Sequence, residues 1–135
     1  MIVVDTSIIG YLYLTSPHSL QSERALQVDP HWVAPVLWRS ELQNVLAMYL
    51  RKHILSLNDA QEIFSAAVGL MAGREYTVPT QPILRLVAKN ACSAYTCEFV
   101  ALAHDLQIPL VTINRQILSL FPRTAISLDT FAVAR

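Results

Sequence analysis

The chain has 135 residues, the length of one domain that can bury a core of its own. Hydrophobic residues make up 53% of it and charged residues 15%, an apolar excess that predicts a homodimer in which a second copy covers part of the surface. Ten Lys and Arg residues balance ten Asp and Glu residues. This balance excludes a strongly basic surface, so any contacts to nucleic-acid phosphates should be local.

Residue type and spacing exclude several common kinds of site. The three glycines form no phosphate-binding loop. Cys92 and Cys97 match neither a disulfide framework nor a zinc signature, and we expect them to be reduced, packed thiols of a cytoplasmic protein. No charge-free stretch reaches the ~18 residues of a membrane span, so no membrane partner is expected. The histidines also lack the spacing that is typical of metal ligands; they are His18, His31, His53 and His104.

Apolar periodicity predicts short strands that alternate with helices along the chain. The predicted strands are Ile2–Val4, His31–Pro35, Tyr76–Val78 and Leu110–Thr112. The predicted helices are Ile8–Leu14, Ser19–Val28, Leu37–Leu50, Leu57–Met71, Pro82–Lys89 and Arg115–Leu120, and a longer helix that begins after Ser93. We expect the cap of Leu57–Met71 to lie within residues 57–59. Ser93 should cap the longer helix, with Tyr95 on its buried stripe. This alternation predicts an α/β fold, a three-layer α/β/α sandwich with a central parallel sheet, formed by residues 1–135 as a single domain.

Two polar residues end strand-like runs that lie far apart in the sequence. Asp5 follows the apolar run Ile2–Val4, and Asn114 ends the run that begins at Pro109. In an open parallel sheet, ligands bind in the crevice at the carboxyl ends of the strands. We therefore expect Asp5 and Asn114 to converge on one site.

Four segments together resemble the PIN-domain family, in the compact form found among VapC-type toxins. They are Val3–Ser7, the stretch from Pro35 through Glu41 to Leu46, Ser93–Ala103, and Pro109–Arg115. The segments occur in the family's order and span nearly the whole chain. The resemblance implies an endoribonuclease dependent on Mg²⁺ or Mn²⁺, whose acidic residues hold metal that activates water.

Two of the family's four acidic positions carry other residues in this chain. Asp5 and Glu41 match the first two acids, whereas Thr96 and Asn114 stand where the family has Asp. The resemblance thus implies a catalytic set of Asp5, Glu41, Thr96 and Asn114, with Asp5, Glu41 and Asn114 as metal ligands. Because neither replacement carries charge, affinity for Mg²⁺ should be lower than with four acids.

Each of these positions also has a purely structural interpretation. Asp5 can cap the next helix, Asn114 can be a turn residue, and Thr96 can belong to the first turn of a helix. Glu98 could replace the missing charge, but two helical positions turn it about 200° from Thr96, so it should be directed away.

Glu41 borders an apolar helical stripe, where a carboxylate needs a cation or a donor nearby. Arg39 or a helix N-terminus could meet that need structurally. Arg39 and Arg115 are also candidates for contacts to RNA phosphates.

Two function classes follow. The first is a metal-dependent ribonuclease weakened by the loss of two acidic ligands, and the second is an inactive PIN module that binds RNA or an antitoxin protein. A phosphotransfer domain with Asp5 as nucleophile is disfavoured, because Ser7 occupies the position of that motif's second Asp.

Overall fold

The computed structural model describes residues 1–133, and within them the elements alternate as predicted. The strands are β1 (Ile2–Val4), β2 (Trp32–Pro35), β3 (Glu75–Tyr76), β4 (Leu110–Thr112) and β5 (Ala125–Ser127). The helices are α1 (Thr6–Tyr11), α2 (Ser19–Val28), α3 (Trp38–Arg51), α4 (Leu57–Met71), α5 (Thr80–Lys89), α6 (Ala94–Leu106), α7 (Arg115–Leu120) and α8 (Leu128–Ala132).

The strands form one parallel sheet in the order β3-β2-β1-β4-β5. Val3 lies opposite Val33 of β2, and Val4 lies opposite Val111 of β4. Every residue of β1, β2 and β4 is buried, which explains why these strands are apolar on both faces. The predicted α/β fold with a central parallel sheet is therefore confirmed.

The strand order reverses between β1 and β4. From β1 the chain builds the sheet outward through β2 and β3, and it then returns to add β4 and β5 on the other side of β1. Such a reversal leaves a crevice at the carboxyl ends of the two strands, because the following helices lie on opposite faces. Asp5 and Asn114 follow these two strands and begin the next helices.

The predicted elements differ from the structure mainly at their ends. Helix α1 begins two residues before the prediction, because the Asp5 side chain accepts a hydrogen bond from the Thr6 backbone N–H. The expected cap of α4 within residues 57–59 was wrong, since Ser56 caps that helix. The short elements β5 and α8 were not predicted. Ala134 and Arg135, the last two residues of the predicted single domain, lie outside the described residues.

Over residues 1–133, none of the helices combines the length and apolarity that crossing a membrane would require.

Candidate active site

One cleft brings together the four residues that the sequence analysis singled out. Asp5, Glu41, Thr96 and Asn114 all line a cavity of about 660 Å³. They come from four separate elements: the end of β1, the first turn of α3, the first turn of α6 and the residue before α7. Their convergence follows from the parallel topology, which places the ends of β1 and β4 side by side.

Asp5 is held by hydrogen bonds to both of its carboxylate oxygens. Oδ1 accepts from the Thr6 backbone N–H at 2.8 Å, and Oδ2 accepts from the Thr112 hydroxyl at 2.8 Å. Burial nevertheless raises the pKa of this carboxyl above its ordinary value, against the lowering effect of the two hydrogen bonds. Asp5 is thus a helix cap, as its structural interpretation proposed, and also a desolvated acid in the cleft.

Glu41 is half-buried and faces Asp5 across Thr6. The Thr6 hydroxyl donates a hydrogen bond to Glu41 Oε1 at 2.6 Å. Desolvation raises the pKa of Glu41, the bond from Thr6 lowers it, and the negative charges of Asp5 and Glu98 raise it further. The cleft is therefore a place where negative charge lacks a counter-charge.

Glu98 is absent from the lining of the cleft, as its helical position predicted. Its charge nonetheless raises the pKa of Glu41, so the angle around α6 does not isolate it electrostatically. The pKa of Glu98 is itself raised by burial.

Thr96 and Asn114 line the cleft while making local contacts. The Thr96 backbone N–H donates to Ser93 Oγ at 3.1 Å, and the Ser93 hydroxyl donates to Thr96 Oγ1 at 3.2 Å. Asn114 Oδ1 accepts from the Ile117 backbone N–H at 3.0 Å. Thr96 therefore lies in the first turn of α6, as its structural interpretation proposed, whereas Asn114 caps α7 instead of lying in a turn. Both residues line the same cavity as Asp5 and Glu41.

Arg39 does not line the cleft, and its ion pair is with Glu75 instead of Glu41. Its contact with RNA stays a prediction. Its Nε and Nη2 donate to the two oxygens of Glu75 at 2.6 and 2.7 Å, and the Trp38 indole N–H donates to the same carboxylate at 2.8 Å. The Glu75 carboxylate on β3 draws the guanidinium away. Arg115 is exposed at the start of α7 and does not line the cleft either, so its contact with RNA stays a prediction.

The sequence analysis missed Thr6 and Thr112. Both are buried, and each hydroxyl donates to one of the two acids. A threonine directly after the acid of β1, and another that ends an otherwise apolar buried strand, were the available signals. Tyr95 was predicted to be buried and instead is 65% exposed, where it lines the cleft beside Thr96.

The donor set of the cleft fits a hard divalent cation. Two carboxylates face the cavity, and its lining residues include no Lys, Arg or His. Mg²⁺ is commonly held by one or two carboxylates together with water and substrate phosphate. Within residues 1–133 no group of three or more His, Cys, Asp and Glu side chains could hold a metal. Any ion here would therefore depend on Asp5 and Glu41, with neutral oxygens from Asn114 or Thr96.

Comparisons with known proteins agree with this architecture. Ribonuclease VapC3 of Pyrobaculum aerophilum is 28% identical over 125 residues, which cover 90% of this chain and 95% of that protein. The crystal structure of FitAcB from Neisseria gonorrhoeae superposes with a TM-score of 0.68 at 16% identity, covering 94% of this chain and 96% of that one. No family model matches the chain.

The fold and the cleft define a class of α/β protein with a ligand crevice at the switch point of its parallel sheet, here lined by two carboxylates. The likeness along most of the chain to VapC3, together with the fold shared with FitAcB, supports the predicted resemblance to PIN domains of the VapC type.

Proposed function

We propose that the protein is a VapC-like toxin that cleaves RNA internally with the help of a divalent metal ion, acting as a single domain in the cytoplasm. The observation that carries this proposal is the pair of desolvated carboxylates, Asp5 and Glu41, in a cleft lined by no cationic side chain. Such a pair is costly unless a cation occupies the cleft during function. The similarity to a protein named as a ribonuclease supports the choice of reaction.

Asp5, Glu41 and the amide oxygen of Asn114 would hold Mg²⁺ or Mn²⁺, with the hydroxyl of Thr96 close to the same cavity. The ion would supply an activated water and stabilise charge on the phosphate. Thr6 and Thr112 hold the two carboxylates in fixed orientations by donating to Glu41 Oε1 and Asp5 Oδ2. Because each carboxylate already accepts from a threonine, little reorientation is needed before the ion binds.

The substrate in this proposal is single-stranded RNA. Tyr95 exposes a large aromatic ring at the cleft, and an unpaired base can stack on such a ring. Arg115 lies next to Asn114 and could donate to a flanking phosphate. Base-paired RNA would hide the faces that Tyr95 can reach.

Cleavage of a single-stranded RNA with added Mg²⁺ or Mn²⁺ tests the proposal. We expect cleavage that chelation stops and that Asp5→Asn or Glu41→Gln abolishes. Asp59→Asn is the matched control, since it removes an exposed acid from the first turn of α4 and should leave the rate unchanged. Cleavage that survives Asp5→Asn and chelation would contradict the proposed site.

A second candidate function is favoured by Thr96 and Asn114, which stand where the family has acids. The Thr96 hydroxyl oxygen accepts a hydrogen bond from Ser93, and the Asn114 amide oxygen caps α7. In this case the chain is an inactive module that binds RNA or an antitoxin protein through the same cleft. Titration with Mg²⁺ and Mn²⁺ separates the two functions. The enzyme must bind one of these ions at millimolar concentration, and both Asp5→Asn and Glu41→Gln should weaken that binding. The inactive module has no such requirement.

A further inference from the structure

A second cavity lies between α5, α6 and the segment that follows β3. Its volume is about 430 Å³, and it shares no lining residue with the cleft of Asp5 and Glu41. Small-molecule sites in proteins typically occupy roughly 300–1,000 Å³. The cavity is therefore large enough to be a binding site in its own right.

The lining of this cavity includes apolar side chains and two rings. Val78, Leu86 and Leu102 line it, together with the aromatic residues Tyr76 and His104. The His104 ring is held in place, because its Nε2 lies 2.9 Å from the Thr124 hydroxyl oxygen. A planar aromatic group could displace water from these side chains, and its burial would be favourable.

Two cations line the cavity without taking part in an ion pair among the described residues. Arg85 and Lys89 are exposed and lie one turn apart on α5, so their side chains can reach a common anion. The ion pairs within residues 1–133 join other groups, and neither Arg85 nor Lys89 takes part in one. Arg39, by contrast, is bound through two nitrogens to Glu75.

Asp105 is the single acid among the lining residues and lies on the α6 side, beside His104. A carboxylate in that position accepts hydrogen bonds from hydroxyl groups, as acids that bind ribose do. The cavity thus combines an apolar wall, a pair of cations and one acceptor.

We propose that this cavity binds a nucleotide, with the base on the apolar wall, the phosphate on Arg85 and Lys89, and a ribose hydroxyl on Asp105. The inference rests on the proposed function, because the cleft itself lacks a cationic lining residue and RNA must be held by cations elsewhere. The nucleotide is either free or one residue of an RNA strand.

The first test is a titration of the folded protein with 5′-AMP, followed by NMR at the backbone amides of Ala101 and Leu102. We expect the combined substitution Arg85→Gln and Lys89→Gln to weaken binding at least tenfold. The matched control is Arg51→Gln with Lys52→Gln, which removes the same charge from exposed positions at the end of α3 and should change nothing. Unchanged affinity in the first double variant, or AMP-induced shifts at the cleft instead, would overturn the inference.

The second test identifies the source of the nucleotide. Binding of a single-stranded RNA to the Asp5→Asn protein is compared with and without Arg85→Gln and Lys89→Gln. Weaker binding of both RNA and AMP assigns the site to a residue of the strand, whereas weaker binding of AMP alone assigns it to a free nucleotide. Metal-dependent cleavage without AMP binding contradicts this inference alone, and AMP binding without cleavage contradicts the ribonuclease proposal alone.

Discussion

The hydroxyl of Thr6 donates to Glu41 Oε1 at 2.6 Å and links two residues that are 35 positions apart. The same threonine donates its backbone N–H to Asp5 Oδ1. One residue thus donates a hydrogen bond to each of the two acids in the cleft.

Replacing Thr6 by Val removes this donor while keeping the side chain's shape. We expect the pKa of Glu41 to rise further and the free energy of unfolding at neutral pH to fall by about 1.5–3 kcal/mol, the typical worth of a hydrogen bond to a charged group. Thermal or urea unfolding and carbon-13 NMR of Glu41 would measure the two effects. Thr6→Ser keeps the hydroxyl and should resemble the unmodified protein; equal behaviour of Val and Ser variants would show that the bond has no energetic role.

Asp5→Asn should leave the metal-free protein as stable as before or more so. Asn also caps helices, and the change removes a desolvated charge that repels Glu41. Denaturant unfolding in the presence of chelator measures this stability. A loss of several kcal/mol would mean that the charge of Asp5 stabilises the fold, contrary to its raised pKa.

Restoring the two missing acids tests whether the cleft descends from a stronger metal site. Thr96→Asp together with Asn114→Asp should raise Mg²⁺ affinity and RNA cleavage, while repulsion among four crowded acids lowers the stability of the metal-free protein. Calorimetric titration with Mg²⁺ and unfolding with chelator are the measurements. Unchanged metal binding would mean that Thr96 and Asn114 do not occupy the positions of ligands.

The ion pair of Glu75 should make the stability of the protein depend on pH, independently of the acids in the cleft. Hydrogen bonds from Arg39 hold the pKa of Glu75 below its ordinary value of 4.5. A lowered pKa in the folded state stabilises the protein at pH values above 4.5, and this contribution is lost as the pH falls through the folded-state pKa. Glu75→Gln should therefore reduce stability at pH 7 more than at pH 3, as urea unfolding at both pH values would show. Glu23→Gln, on the exposed surface of α2, serves as control.

The predicted homodimer has a candidate surface on α3 and α4. Leu46, Leu50 and Phe64 line an open apolar groove there, and Leu57 at its edge is 63% exposed. We expect light scattering to show a dimer that Leu57→Glu disrupts, with more than ~1,200 Å² buried in total. Leu84→Glu changes a similarly exposed leucine on α5 and should leave the dimer intact. A monomer at tens of micromolar would remove the argument.

Much of the fold could be predicted because the strands β1, β2 and β4 are buried on both faces and largely apolar. The position of Asp5 and Asn114 followed from the strand ends alone, whereas the inclusion of Glu41 and Thr96 came from the family resemblance. The orientation of Arg39 could not be predicted, since it depends on Glu75, which pairing between β2 and β3 brings close. Likewise, the exposure of Tyr95 depends on where the cleft opens, not on helical spacing.

The hydrogen bond by which Asn114 caps α7 does not require the charge that metal binding would favour at this position. Asn and Asp begin helices about equally well, so the start of α7 tolerates either side chain. A single-nucleotide change interconverts their codons. The charge of the cleft can therefore be lost or regained over generations while folding exerts little selection on the choice.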